Sequence, residues 1–141
     1  MNSTTSNIKV NCSTKNLKEI RTFVEASLRE LSVPANDIGM IVLAIDEICA
    51  NFIIHSNQCN EEQEIEILIK NENQGVSIEI LDEGEYFDLT SYKEPEIQEI
   101  VKEKRKGGMG LILVKRIMDS IEFKKVNNHN VCKLFKKVKF A

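Results

Sequence analysis

A chain of 141 residues, 42% of them hydrophobic, can bury one ordinary core without disulfide or metal staples. Its 19 basic and 22 acidic residues leave a net charge of −3 and are mixed along most of the sequence, so charge gives no case for nucleic-acid binding. Four cysteines with no C-x-x-C pair argue against a zinc or dithiol site, and no apolar run nears the roughly 20 residues of a membrane span.

The expectation is a single compact domain in a soluble, cytoplasmic protein, with Cys12, Cys49, Cys59 and Cys132 as idle thiols in a reducing compartment. In chain order, "IKVNC" alternates apolar and polar residues as a half-buried strand does. "STKNLKEIRTFVEASLREL" offers Ser13 or Thr14 as an N-cap, followed by Leu17, Ile20, Phe23, Val24, Leu28 and Leu31 at helical spacing. Pro34 interrupts that pattern, and a second helix is expected to run to about Ser56.

"EIEILIK" and "VSIEILD", separated by the turn-forming "NENQG", read as an antiparallel hairpin ending at Asp82. A long charged connection follows, in which "EPEIQEIVKEKRK" is a candidate short helix. "GLILVKRIMDS" reads as a helix starting just after a glycine cluster, and "IEFKKV" and "VCKLFKKVKF" as two strands around the turn "NNHN". The order suits a two-layer α/β sandwich, with an antiparallel or mixed sheet covered on one face by helices. Lys124, Lys125, Lys133, Lys136, Lys137 and Lys139 read as a solvated strand face that discourages edge pairing, with a basic docking patch as the alternative.

Three segments have residue types suited to chemistry. In the second helix Ile41, Ile45, Ile48 and Phe52 define an apolar side, while Glu47, Asn51 and His55 recur every fourth residue beside it. That stripe faces something polar, either solvent or a site. In "LDEGEYFD" an apolar strand ends at Asp82, and Gly84 two residues later lets backbone approach a ligand; a plain strand-ending turn uses the same residues. In "RKGGMGLILVKRIMD", Gly107, Gly108 and Gly110 lead into a helix whose N-terminal N–H groups and dipole favour an anion such as phosphate. It is not a Walker A motif, since no G-K-[ST] follows, and it lacks the G-x-G-x-x-G of a dinucleotide fold.

Taken in this order and at these distances, the three segments resemble the ATP-binding domain of the GHKL superfamily of gyrase, heat-shock chaperones, histidine kinases and MutL. The helix with Glu47 and Asn51 resembles the N box, "DEG" the first glycine box and "GGMGLILV" the second. The resemblance covers about residues 7–138, and "DEICANFIIHS", "DEGEYFD" and "GGMGLILVKRIMDSIEF" are most similar to the stand-alone anti-sigma factor serine kinases. The only histidines are His55, in the N box, and His129, in a turn, which disfavours a histidine kinase with its own phosphoacceptor. Glu85 and Tyr86 stand where the wider superfamily often has a second glycine, while Phe87 and Asp88 suit the anti-sigma branch. Ser56 follows His55 where many relatives have glycine.

The resemblance implies that Asn51 coordinates the Mg²⁺ bridging the ATP phosphates, and that Glu47 takes the proton of an attacking serine hydroxyl or else holds water near the metal. It implies that Asp82 accepts from the adenine amine, that Gly84 admits the base, and that Gly107, Gly108, Gly110 and Leu111 line the phosphates at the helix start. Arg105 and Lys106 either add charge there or are solvated lid residues, and His55 shapes the pocket. The implied function is an ATP-dependent protein serine kinase and anti-sigma factor, a homodimer acting on a STAS-fold antagonist and sequestering a sigma factor. It would contact neither nucleic acid nor membrane. A nucleotide-dependent binding module without phosphotransfer, or a partner-switching kinase whose output is not a sigma factor, are the alternatives.

Overall fold

The computed structural model describes residues 5–56, 60–82, 108–127 and 129–140, with the backbone alone for 55–56 and 108–111. The elements are β1 (Thr5–Asn11), a 3₁₀ turn (Thr14–Asn16), α1 (Leu17–Glu30) and α2 (Ala35–Asn51), which continues into a π-helical turn (Phe52–Ser56). Then follow β2 (Glu64–Glu72), β3 (Gly75–Asp82), α3 (Gly108–Ile117), β4 (Ser120–Val126) and β5 (His129–Lys137). The five strands form one sheet in the order β1-β2-β3-β5-β4, with every neighbouring pair antiparallel. The expected two-layer arrangement is present, and the sheet is antiparallel rather than mixed.

Register explains which sheet face is covered. Ile8, Ile67, Ile80 and Cys132 stand opposite one another across four strands, as do Val10, Ile65, Asp82 and Asn130. Side chains alternate along a strand, so these rows share one face. That face packs under α1 and α2 through Ile20, Val24 and Leu28 and through Ile41, Ile45 and Ile48. Val114 of α3 joins the same cluster. Phe52 closes one end edge-on to Phe123, with ring centroids 6.2 Å apart at 73°.

Several boundaries differ from the sequence expectations. Ser13 caps the 3₁₀ turn through Lys15 N–H at 3.3 Å rather than capping α1, whose N-cap is Asn16. The "NENQG" turn tightens to Asn73 and Gln74, with Gln74 at φ 69°, because the ladder continues to Glu72 and Gly75. "NNHN" is also shorter than expected, since His129 and Asn130 pair with Val126 and Lys125 and belong to β5. The candidate helix in "EPEIQEIVKEKRK" lies outside the described residues.

The end of α1 is a Schellman closure on a residue other than glycine. Val33 N–H reaches Leu28 O at 3.1 Å and Ser32 N–H reaches Arg29 O at 3.0 Å, with Ser32 left-handed at φ 63°. Val33 is buried together with Leu28, the apolar contact that accompanies this motif. The closure turns the chain into Pro34 and sets the start of α2.

Candidate functional site

Glu47 and Asn51 lie one turn apart on α2, which packs against both α1 and α3. Their neighbours Ile45, Ile48, Cys49 and Phe52 are fully buried, and this anchors the helix at its apolar side. Asn51 is buried, whereas Glu47 is half-buried. Partial burial, and secondarily the adjacent Asp46 carboxylate, push the Glu47 carboxyl above its ordinary value. Asp46 itself is held by Arg21 of α1 at 2.9 Å. Glu47 is thereby a stronger proton acceptor than a solvated glutamate.

Of the expected three-residue stripe, Glu47 and Asn51 have described side chains and that of His55 lies outside the described residues. The α-helix ends at Asn51 and the backbone widens to a π-helical turn over Phe52–Ser56.

Asp82 is the last residue of β3, on the helix-covered face and only 1% exposed. A partner that sequence reasoning missed stands directly opposite on β5: Asn130 donates from Nδ2 to Asp82 Oδ1 at 2.6 Å. Both side chains are buried. Asn130 fixes the orientation of the carboxylate, and a carboxylate offers about four acceptor positions in all. A small pocket of about 120 Å³ reaches Asp82 from the other side of the sheet: Lys9, Glu64, Glu66, Leu81 and His129, which border it, alternate out of the helix-covered rows, so it is not the cavity into which the Asp82 side chain faces.

α3 begins at Gly108, inside the glycine cluster rather than after it, so Gly108 and Gly110 form its first turn with Leu111. First-turn N–H groups have no partner within the helix, and glycines there add no side chain over them. The other end of α3 is tied down. Lys136 Nζ donates to Ile117 O at 2.9 Å, and Asp119 N–H reaches Phe135 O at 2.9 Å. A cation on the C-terminal carbonyls also suits the helix dipole. Gly84, Arg105, Lys106, Gly107 and the segment with Glu85, Tyr86, Phe87 and Asp88 lie outside the described residues, as does Cys59.

The donor types at Asn51, Asp82 and the start of α3 are compatible with a nucleotide. Among the described residues no three His, Cys, Asp or Glu side chains gather to hold a metal. A site offering the buried amide of Asn51 suits a hard ion that keeps waters and phosphate oxygens as its other ligands. A buried, oriented carboxylate suits an amine-bearing base, and a glycine-opened helix N-terminus suits phosphates. Among the described residues, no helix is long and apolar enough to cross a membrane.

Helices over one face of an antiparallel sheet, with N-box residues on α2, an acid ending β3 and glycines opening α3, define a histidine kinase-like ATP-binding fold. The profile of the histidine kinase-like ATPase domain matches residues 10–136. The serine-protein kinase RsbW of Oceanobacillus iheyensis is 32% identical over 117 residues, covering 75% of this chain and 72% of that protein. An anti-sigma F factor of Clostridium perfringens is 29% identical over 126 residues, covering 83% of this chain and 84% of that protein. The crystal structure of the RsbU and RsbW domains of a Mycobacterium tuberculosis protein superposes with a TM-score of 0.64 at 14% identity. That match takes in 96% of this chain but only 32% of the larger one, and it speaks for the fold alone. The chain belongs to the histidine kinase-like ATPase domain family, in its branch of anti-sigma factor serine kinases.

Proposed function

We propose that this protein is an ATP-dependent serine kinase that doubles as an anti-sigma factor, phosphorylating a STAS-fold antagonist and holding a sigma factor. The observation that carries the reading is Glu47 one turn before the buried Asn51, on a helix packed against the glycine-opened α3. The names of the relatives point the same way. Residues 1–141 act as one ATPase domain with a core of about 7–138, working in the cytoplasm as a homodimer.

In this reading Asp82, oriented by Asn130, accepts from the exocyclic amine of adenine, and Gly84 lets the base lie against the backbone. The first-turn N–H groups of α3 at Gly108, Gly110 and Leu111, with Gly107 before them, hold the phosphates, and Arg105 and Lys106 add positive charge. Asn51 lends its amide oxygen to Mg²⁺, which when bound neutralises charge on the phosphates. Glu47 takes the proton of the acceptor serine as its oxygen bonds to the γ-phosphorus and the bond to the ADP oxygen breaks. The raised affinity of Glu47 for a proton serves that step.

The test is titration with ATP, ADP and GTP in Mg²⁺ beside an Asn51→Ala variant, followed by transfer of labelled phosphate to a STAS-fold antagonist. Adenine-selective binding that loses its magnesium dependence in the variant is expected, with label on the antagonist. Binding without transfer under any condition would leave a nucleotide-dependent binding module. Absence of nucleotide binding would remove the kinase reading altogether.

A further inference from the structure

We propose that the exposed face of α2 on the N-terminal side of Glu47, formed by Gly39, Met40 and Leu43, is the docking surface for the serine-bearing protein substrate. The inference rests on the kinase reading above and specifies where its acceptor sits. Met40 and Leu43 are the large apolar side chains that α2 leaves in solvent, at 46% and 44% exposure, and Ile54 just beyond the helix is 43% exposed. At ~100° per residue, Met40 and Leu43 lie within about 40° of Glu47 around the helix axis. At ~1.5 Å per residue they lie about 10 Å and 6 Å from it along the axis. The same face therefore presents the candidate base and an uncharged apolar strip.

The occupant follows from distance and size. A protein that brings a serine hydroxyl to Glu47 covers about 800 Å² of its partner, a patch of roughly 16 Å radius. Met40 and Leu43 fall well inside that circle, so such a substrate buries them if it reaches Glu47 at all. Gly39 supplies an independent observation. It sits inside α2, where glycine is a poorer helix former than alanine, yet a Cβ added there meets nothing within 4 Å. At ~100° per residue Gly39 stands on the flank of this face, about 40° from Leu43 and about 80° from Glu47, and its missing Cβ leaves room for a partner backbone to approach the helix there. The chemistry selected is an apolar patch of the acceptor protein beside its serine, packed on a smooth helix surface.

Three variants test the surface: Leu43→Glu, Met40→Glu and Gly39→Ala. The acceptor is a STAS-fold antagonist that the wild-type protein phosphorylates. Each variant is measured for KM and kcat toward the antagonist, ATP affinity, thermal midpoint and mass in solution. The expected result for Leu43→Glu and Met40→Glu is a rise of tenfold or more in KM, with kcat within twofold and ATP affinity and mass unchanged. Gly39→Ala is expected to raise the thermal midpoint while raising KM. Unchanged KM in all three overturns the docking face while leaving the kinase reading intact. Loss of ATP affinity overturns it too, by assigning the strip to the chain's own nucleotide site, and a change of mass does so by assigning it to a second copy. A wild-type protein that binds ATP but phosphorylates no STAS antagonist sinks both the kinase reading and this surface.

Discussion

Asp82 and Asn130 face each other across β3 and β5 and share a buried hydrogen bond, Asn130 Nδ2 donating to Asp82 Oδ1 at 2.6 Å. A bond to an ionised group contributes about 1.5–3 kcal/mol, and removing its donor leaves a buried carboxylate less well satisfied. Asn130→Ala is therefore expected to lower stability by about 2 kcal/mol in urea titration, with the slope of the transition unchanged. If Asp82 reads the adenine amine, the same variant also narrows the preference for ATP over GTP. Asp82→Asn offers an amide in place of the acceptor-only carboxylate, and is expected to weaken ATP binding more than it weakens the fold.

Ser32 has φ 63° at the Schellman closure of α1, a conformation that costs a non-glycine residue roughly 1–2 kcal/mol. Ser32→Gly relieves that strain but loosens the unfolded chain, so the net gain is smaller. The expected outcome is a stabilisation of about 0.5–1 kcal/mol in urea or thermal melts. Nucleotide affinity is expected to stay unchanged, since Ser32 lies at the far end of α2 from Asn51.

Gly75 opens β3 where its neighbour strand leaves no room. A Cβ there would overlap the carbonyl oxygen of Lys136 and come within 2.8 Å of Phe135 Cζ. The aromatic ring can move, but the backbone carbonyl belongs to the β3–β5 ladder and cannot move without breaking it. Gly75→Ala is expected to cost about 1–3 kcal/mol, as overpacking does, and trimming Phe135 to leucine should recover little of it. Urea melts of the single and double variants decide which neighbour sets the cost.

The sheet and its covered face were legible because Ile65, Ile67, Ile69 and Ile78, Ile80 alternate strictly on either side of a turn-rich segment. That period has no helical alternative. Asn130 was not legible. "NNHN" has turn chemistry at every position, and only the pairing of β4 with β5 draws His129 and Asn130 into a strand. Gly108 and Gly110 likewise favour a loop by intrinsic propensity. Val114 and Ile117, buried one and two turns on, draw the helix back over them. The spacing of Glu47 and Asn51 marked a polar stripe on an otherwise buried helix, and only the order of the three motifs attached a site to it, whereas the π-helical turn that follows Asn51 is not foreseen by periodicity.

The Glu47 carboxyl is pushed above its ordinary value by burial and then by Asp46, and the sign of that shift gives two opposite pH effects. The folded protein holds this proton more tightly than the unfolded chain. At a pH below the ordinary glutamate value both states are protonated, and Glu47 costs nothing. As pH rises through the raised folded value, the native state must carry a charge in a partly desolvated place beside Asp46, and stability falls. Glu47→Gln is thus expected to be more stable than wild type at pH 7, with the difference closing near pH 4. Thermal melts across that range check it. Transfer requires the other form of the same group, the carboxylate. Its rate should therefore fall on the acid side at a pH above the ordinary glutamate value, and Glu47→Gln should lose about 10²–10⁴ in rate while still binding ATP. A variant that gains neutral-pH stability yet keeps full transfer would leave Glu47 as a water-holding neighbour of the metal instead of the base.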